Sequence, residues 1–178
     1  GDGGIAGESR GSIASVRTAA TGGSTGPTQF LCKGAKVRAH YTSAWLIRNG
    51  AAAGSGIYMT PSALMTEKAW EDMATDRAKG IRAMPVICDH PDWWVLDILD
   101  GFGAHFSSPR ALAVYYAHKI MQLKEEGDTS HVCQLYDQQP AKSDKVMLRS
   151  GTAMLRQAAS VTQGCLDQWG LVAVGLMA

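Results

Sequence analysis

The sequence predicts a mixed α/β fold in about one domain. Three observations lead to this class: two short extended runs flank a strong turn signal, one segment has apolar side chains at helical spacing, and one apolar run is nearly continuous. The chain has 178 residues, of which 46% are hydrophobic. It is therefore long enough and apolar enough to bury a single core of ordinary size.

The first predicted element is an antiparallel hairpin. Residues 1–11 are rich in glycine and have no periodicity, so they are expected to form a flexible start. Ser12–Thr21 and Gln29–Lys33 have the composition of strands, and the turn-forming run Gly22–Pro27 separates them. Two extended runs around such a turn are typical of paired neighbouring strands.

A short strand and a helix follow in the middle of the chain. Ile57–Met59 is an extended piece that Thr60 and Pro61 stop, because proline cannot continue a paired strand. The helix is predicted over Met65–Lys79, with Thr66 as its N-cap and apolar residues at helical spacing. Gly80 is expected to end this helix in the left-handed conformation.

The next segment predicts a central strand followed by a helix and a further strand. Trp93–Leu99 is a nearly continuous apolar run that suits a strand covered on both faces. Pro109–Lys119 fits a helix that Ser107 or Ser108 caps, and Ile120–Leu123 is a strand candidate. Another helix is expected after Tyr136, whereas residues 151–178 have weak periodicity and form a tail of uncertain structure.

The charge balance argues against a strongly basic nucleic-acid-binding domain. The 17 Lys and Arg residues nearly cancel the 16 Asp and Glu residues, for a formal net charge of +1. Independent nucleic-acid-binding domains usually carry a basic excess. Any contact with DNA must therefore be local or be supplied by another part of the protein.

The cysteines and the apolar runs favour a reducing, intracellular setting without a membrane span. Cys32, Cys88, Cys133 and Cys165 lie far apart with no CxxC pair, which argues against a zinc cluster and a disulfide framework. No apolar run approaches the roughly 20 residues that span a bilayer, and the start does not resemble a signal peptide. The missing initiator methionine suggests a fragment or a processed chain.

Two acids carry the chemical signal of the sequence. Asp100 ends the apolar run in the stretch LDGFGAH, and Asp137 follows 37 positions later in HVCQLYDQ. An acid at the end of a strand can project into a cleft while the sheet holds its backbone. Carboxylates held in this way can bind two divalent cations about 4 Å apart, the arrangement that phosphodiester cleavage uses.

The region from Pro27 to Lys145 resembles the DDE superfamily endonuclease domains of pogo-like and Tc1-mariner-related transposases. The resemblance is densest in Tyr58–Pro61 with the helix after it, in Trp94–His105, and in Glu125–Lys145. In that family the second acid begins a D-x-x-x-x-H pattern, which Asp100 and His105 match. The third acid follows a segment like THLLQPLD, which the stretch ending at Asp137 resembles.

The resemblance implies a ribonuclease-H-like fold with a central mixed sheet of about five strands flanked by helices, over residues 12–150. It further implies metal-dependent cleavage and transfer of DNA strands, with DNA as the partner and a nuclear or other intracellular location. Asp100, Asp137 and His105 are the implied catalytic residues. Asp100 and Asp137 are the implied ligands of Mg²⁺ or Mn²⁺. Oligomeric state has no signal in the sequence.

The sequence departs from the family at the first acid. In the family this acid lies on an opening strand before the hairpin, and here Asp2 is the only acid near that position. We expect that strand, and a preceding helix-turn-helix region, to be missing, and the isolated chain to be inactive. The alternative is a non-catalytic nucleic-acid-binding or interaction module derived from a transposase. An unrelated small α/β domain is a third hypothesis.

Each site residue also has a structural interpretation. Asp100 can be a turn residue that ends a strand, Asp137 a helix N-cap, and His105 a core histidine. Asp97 lies three positions before Asp100, on the opposite face of the strand, and is expected to be structural. Asp128 is a reserve candidate for the third ligand, although its acidic surroundings are typical of a solvated loop.

Two aromatic features near the strand have simpler interpretations. His90, between Asp89 and Pro91, has no partner at metal-ligand spacing, which favours a turn. Trp93 and Trp94 can stack on bases, but adjacent aromatic residues at the start of a strand more often serve packing.

Overall fold

A computed structural model of the chain describes residues 13–20, 23–36 and 42–125, together with Val146 and Ser150. These residues form a mixed α/β structure, as the sequence predicts. The strands are β1 (Ile13–Val16), β2 (Gln29–Lys33), β3 (Gly56–Thr60), β4 (Val95–Leu99) and β5 (Ile120–Lys124). The helices are α1 (Ser43–Arg48), α2 (Glu67–Arg82), α3 (Pro85–Cys88), α4 (Ala104–Ser107) and α5 (Pro109–Ala117).

The five described strands belong to two sheets. The first has the order β1-β2-β3, in which β1 and β2 are antiparallel and β2 and β3 are parallel. The second is the parallel pair β4-β5, in which Val95 lies opposite Ile120. The α/β class is therefore confirmed, but the described residues do not form the single five-stranded sheet that the resemblance implies.

Both sheets share one hydrophobic core. Leu31 of β2 and Leu99 of β4 belong to the same buried cluster as Trp70 of α2, Tyr115 of α5 and Ile120 of β5. Helix α2 packs against β3 and α5, and α5 in turn packs against β5. The layer of α2 and α5 thus joins the two sheets and supports the strand that leads to Asp100.

Helix α2 has the predicted N-cap, but it begins at Glu67, two residues after the predicted start, and continues past its predicted end. The Thr66 hydroxyl accepts a hydrogen bond from the Ala69 backbone N–H at 3.1 Å, which confirms the N-cap. Gly80 lies inside the helix and does not end it, contrary to the prediction. A Cβ at position 80 would lie 2.4 Å from the Ala53 carbonyl oxygen and 2.9 Å from the Pro27 ring. Close packing, and not termination, therefore accounts for the glycine.

The other predicted elements are confirmed with shifted ends. The hairpin is present, but β1 covers only Ile13–Val16 of the longer predicted strand. The Ser108 hydroxyl, rather than that of Ser107, caps α5 by accepting from the Ala111 N–H at 3.2 Å. Helix α5 ends at Ala117, before the predicted Lys119, because Lys119 has a φ of 55° that a right-handed helix does not allow.

Strand β4 differs from its prediction in length and in cover. It begins at Val95, not at Trp93. Its inner side chains Asp97 and Leu99 are buried, whereas Leu96 and Ile98 on the outer face are exposed. The expectation of a strand covered on both faces is therefore wrong for the part of the chain that the structure describes.

Three short helices, α1, α3 and α4, have no counterpart in the sequence-based prediction because four to six residues are too few to show a helical period. The predicted flexible start, the helix after Tyr136 and the tail 151–178 lie outside the described residues. Within the described ranges, no helix is long and apolar enough to cross a membrane.

Candidate functional site

Asp100 is presented to solvent from a fixed point of the backbone. It follows Leu99, the last residue of β4, and its side chain is 62% exposed. The Leu99 carbonyl accepts a hydrogen bond from the Glu125 N–H at 2.8 Å, so the parallel pairing with β5 continues to this point. The carboxylate is thus accessible to a cation while its backbone is held by the sheet.

The structure brings His105 to Asp100. His105 lies on the short helix α4, and its Nδ1 is 2.9 Å from Asp100 Oδ1. The imidazole is buried, and Nδ1 makes no well-aligned hydrogen bond to the Asp100 carboxylate. The contact with that carboxylate is therefore a close polar approach. It restricts the orientation of a carboxylate that is otherwise open to water.

The surroundings of His105 favour its neutral form. Burial lowers the pKa of His105 from its usual value near 6.5. The negative charge of Asp100 opposes this shift and the positive charge of Arg77 adds to it, so the pKa remains lowered overall. The ring is therefore uncharged at neutral pH, and the charge of Asp100 is not cancelled by an imidazolium.

Two aromatic rings pack against the imidazole, the buried Trp70 and the exposed Phe102. The Trp70 ring centroid lies 4.3 Å from that of His105, and the Phe102 ring meets His105 edge-on at 5.6 Å. Two hydrogen bonds tie the neighbouring backbone to α2: Ser107 Oγ donates to Glu67 at 3.1 Å, and Ser108 Oγ donates to Glu71 at 2.7 Å. The position of His105 is thus set by α2, through packing and through these bonds.

Beneath the site lies a buried ion pair. Arg77 of α2 donates two hydrogen bonds to the Asp97 carboxylate, at 2.5 and 2.9 Å, and both side chains are buried. Burial disfavours the charged guanidinium, but the attraction of Asp97 and its hydrogen bonds outweigh burial and raise the pKa of Arg77. Asp97 is therefore committed to Arg77, which agrees with its expected structural role and removes it as a metal ligand.

Arg77 is a residue that the sequence-based reasoning missed. Its guanidinium carbon lies 5.4 Å from the Trp70 ring centroid and 5.7 Å from that of Tyr115. The available signal was its place on the helix, seven residues after Trp70 and hence on the same apolar face. A cation on such a face needs a buried acid as its partner. Asp97, an acid within an apolar strand, was the residue that could have indicated this partner.

The described residues include one candidate ligand of the predicted metal site, Asp100. Mg²⁺ and Mn²⁺ prefer oxygen ligands, and Mg²⁺ commonly keeps several waters beside one or two carboxylates. The exposed carboxylate of Asp100 fits that chemistry. Within the described ranges, no group of three or more His, Cys, Asp or Glu side chains is placed to hold a metal. Asp2, Asp128 and Asp137 lie outside those ranges, so the pairing of Asp100 with Asp137 stays a prediction.

The segment before β4 forms an aromatic turn. His90 stacks on Trp93 with ring centroids 3.8 Å apart and an angle of 9° between the planes. Arg82 donates hydrogen bonds to the carbonyl oxygens of His90, Pro91 and Trp93. The turn interpretation of His90 therefore agrees with the structure. Trp93 and Trp94 are exposed, yet both pack on neighbouring rings: Trp93 stacks on His90, and the Trp94 ring centroid lies 5.1 Å from that of Tyr116.

A cavity of about 530 Å³ lies along α5 and β5, lined by residues that include Leu112, Tyr116 and Met121. Neither Asp100 nor His105 lines it, so it does not extend the candidate site.

Comparison with models of known protein families, with curated proteins and with solved structures finds no match to this chain.

Proposed function

We propose that this chain is a DDE-type endonuclease domain derived from a transposase, which binds Mg²⁺ or Mn²⁺ through Asp100 and Asp137 and acts on DNA inside the cell. The observation that carries the proposal is the exposed Asp100 carboxylate at the end of β4, in contact with the buried His105. Asp100 and His105 match the D-x-x-x-x-H motif of the family, and Asp100 Oδ1 lies 2.9 Å from His105 Nδ1.

The proposed division of roles follows from burial and charge. Asp100 is exposed and acidic, so it is suited to bind a cation. His105 is buried and favoured in its neutral form, so it orients the Asp100 carboxylate without competing with the cation for its charge. When bound, a pair of metal ions would activate the attacking oxygen and stabilise the leaving oxygen of a phosphodiester.

A non-catalytic DNA-binding or interaction module is the second candidate. The observation that favours it is the commitment of Asp97 to Arg77, which leaves Asp100 as the one acid in or directly after β4 that can serve a metal. Cleavage needs several carboxylates in fixed positions, and a misplacement of about 1 Å can cost on the order of a hundredfold in rate. We therefore expect the purified chain to bind Mn²⁺ but to cut DNA slowly or not at all.

Binding of Mn²⁺ tests the site. Free Mn²⁺ is measured by electron paramagnetic resonance in titrations of the full chain and of the variants Asp100→Asn, Asp137→Asn and Asp89→Asn. The last is the matched control, since Asp89 is also exposed but lies before β4. We expect the first two variants to lose the bound Mn²⁺ and the control to keep it. If the unmutated chain binds no Mn²⁺ at millimolar concentration, the proposed site is wrong.

Nicking of supercoiled plasmid DNA separates the two candidates. Metal-dependent nicking that disappears in both Asp100→Asn and Asp137→Asn identifies a working endonuclease. Mn²⁺ binding without nicking supports the non-catalytic module. Nicking that survives both substitutions points to a contaminant or to another site.

A further inference from the structure

Four aromatic rings lie close to the start of β4 and form two contacting pairs. His90 and Trp93 are stacked, with ring centroids 3.8 Å apart. The Trp94 ring centroid lies 5.1 Å from that of Tyr116 on α5, with an angle of 55° between the planes. Because Trp93 directly precedes Trp94, the two pairs are neighbours along the chain. We call these four residues the aromatic platform.

The platform keeps large aromatic side chains in contact with water. The exposed fractions of Trp93, Trp94 and Tyr116 are 58%, 49% and 70%. Aromatic side chains of this size contribute strongly to the free energy of a core or an interface when they are buried. Three neighbouring exposed rings, in contrast to scattered single residues, therefore indicate a surface that binds a partner.

The backbone that carries the rings is held in place by the rest of the fold. Arg82 of α2 donates hydrogen bonds to the carbonyl oxygens of residues 90, 91 and 93, at 2.8 to 3.2 Å. The Val95 N–H donates to the carbonyl oxygen of Lys119, directly before β5, at 2.9 Å. A ligand that meets a surface fixed in this way loses less free energy to ordering than one that binds mobile side chains.

The helix and the strand beside the platform carry only positive charges. Residues 108–124 include Arg110, Lys119 and Lys124 but no Asp or Glu. Asp92 pairs with Lys119 at 2.9 Å and offsets its charge. Among the described residues, Arg110 and Lys124 have no such acidic partner. A local positive charge of this kind attracts a polyanion although the chain as a whole is nearly neutral.

Exposed rings beside unpaired cations suit single-stranded nucleic acid. Every base has a flat face that can stack on an aromatic side chain, and phosphates can contact Arg or Lys. The bases of a duplex are already stacked on one another and must be unstacked before they can use such rings. An apolar peptide would use the rings but gain nothing from Arg110 and Lys124. We propose that the aromatic platform binds bases of single-stranded DNA.

This inference deepens the proposed function and rests on it for the choice of DNA as the ligand. The platform precedes β4 and Asp100 follows it, so the Trp94 and Asp100 backbones are roughly 20 Å apart along the strand. This distance corresponds to at most about six nucleotides, since a stacked DNA strand advances 3.4 Å per nucleotide. One DNA strand can therefore place bases on the platform and a phosphate at Asp100.

Fluorescence anisotropy of a labelled oligothymidylate of roughly 12 nucleotides tests the proposal on the full chain in EDTA. Tyr116→Leu removes the ring and keeps an apolar side chain, whereas Tyr116→Phe keeps the ring. We expect Tyr116→Leu to weaken binding about tenfold and Tyr116→Phe to bind like the unmutated chain. Leu64→Ala is the control and should bind normally, since Leu64 is 65% exposed and precedes α2, whereas Arg82 at the other end of α2 holds the platform. Trp93→Leu, in the other ring pair, should show the same loss as Tyr116→Leu and replaces it if that variant does not fold.

A second ligand separates stacking from charge. An oligomer of abasic deoxyribose phosphates of the same length carries the phosphates without bases, and we expect it to bind at least about tenfold more weakly. Equal affinity for the two oligomers overturns the proposal, and so does equal binding by Tyr116→Leu and Tyr116→Phe, which indicates an apolar contact without stacking. Because the assay contains no free metal ion, a chain that binds Mn²⁺ but not oligothymidylate contradicts the platform alone. A chain that binds oligothymidylate but not Mn²⁺ contradicts the metal site alone.

Discussion

Replacing Arg77 with methionine leaves the Asp97 carboxylate buried without its cation. In the native protein the guanidinium donates two hydrogen bonds to Asp97, and the two side chains are 2% and 8% exposed. The Gln122 side-chain nitrogen is 3.5 Å from Asp97, too far to replace either bond. The variant Arg77→Met therefore removes the charge partner and keeps much of the apolar packing of the side chain.

The expected cost is large relative to the stability of a small domain. Breaking a buried ion pair on one side typically costs about 3–5 kcal/mol, because the remaining charge is neither solvated nor paired. A domain of this size has a free energy of unfolding of about 5–15 kcal/mol. The double variant Arg77→Met, Asp97→Leu removes both charges, so we expect it to recover most of that loss.

Urea unfolding followed by tryptophan fluorescence measures these differences, since the chain has five tryptophans. The comparison uses the unmutated chain, Arg77→Met and the double variant at one pH and ionic strength. A loss below about 1 kcal/mol in Arg77→Met contradicts the inference that the pair is buried and tightly coupled. A double variant that is less stable than Arg77→Met contradicts the explanation by an unpaired charge.

Three further outcomes are expected. A crystal structure that includes residue 137 should place the carboxylates of Asp100 and Asp137 roughly 4 to 8 Å apart, and a separation above roughly 12 Å contradicts the metal site. Free Mn²⁺ at about ten times its Kd should raise the Tm of the unmutated chain and of Asp89→Asn by about 3 to 6 °C. The Tm of Asp100→Asn should not change. An equal rise of the Tm in all three proteins contradicts specific binding. Burial raises the pKa of the Cys32 thiol from 9.0 to about 11, so the unfolded chain loses this proton first and the free energy of unfolding should fall by about 2 kcal/mol as the pH rises from about 9 to about 11. Cys32→Ala should lack that part of the fall, and parallel pH profiles of the two proteins contradict the assignment to Cys32.

Local signals in the sequence predicted the elements well. The turn run Gly22–Pro27 and the caps Thr66 and Ser108 act over a few residues, and each has its expected effect in the structure. The end of α2 was mispredicted because glycine has two uses. The sequence does not distinguish a glycine that ends a helix from one that admits a neighbouring backbone, and Gly80 is the second kind.

The sequence alone did not indicate which distant residues contact one another. A run such as Val95–Leu99 indicates a strand but does not say which strand pairs with it, so the division into two sheets had no local signal. The buried pair of Arg77 and Asp97 joins residues 20 positions apart on different elements, and neither has a motif. The family resemblance named Asp100 and His105 together but did not predict that they touch, and the 2.9 Å approach of their side chains is visible only in the folded chain.

The loop between Asp100 and His105 has a consequence for how this sequence can diverge. Gly101 and Gly103 do not need a positive φ, and a Cβ would meet only ordinary contacts at 3.4 Å in the first case and open space in the second. Drift to alanine at either position therefore carries little steric penalty. The length of the loop is more strictly constrained than its composition, because one inserted residue would rotate α4 and carry the His105 imidazole away from the Asp100 carboxylate. Descendants of this gene can thus lose both glycines and keep the site, whereas a single-codon insertion would separate its two side chains.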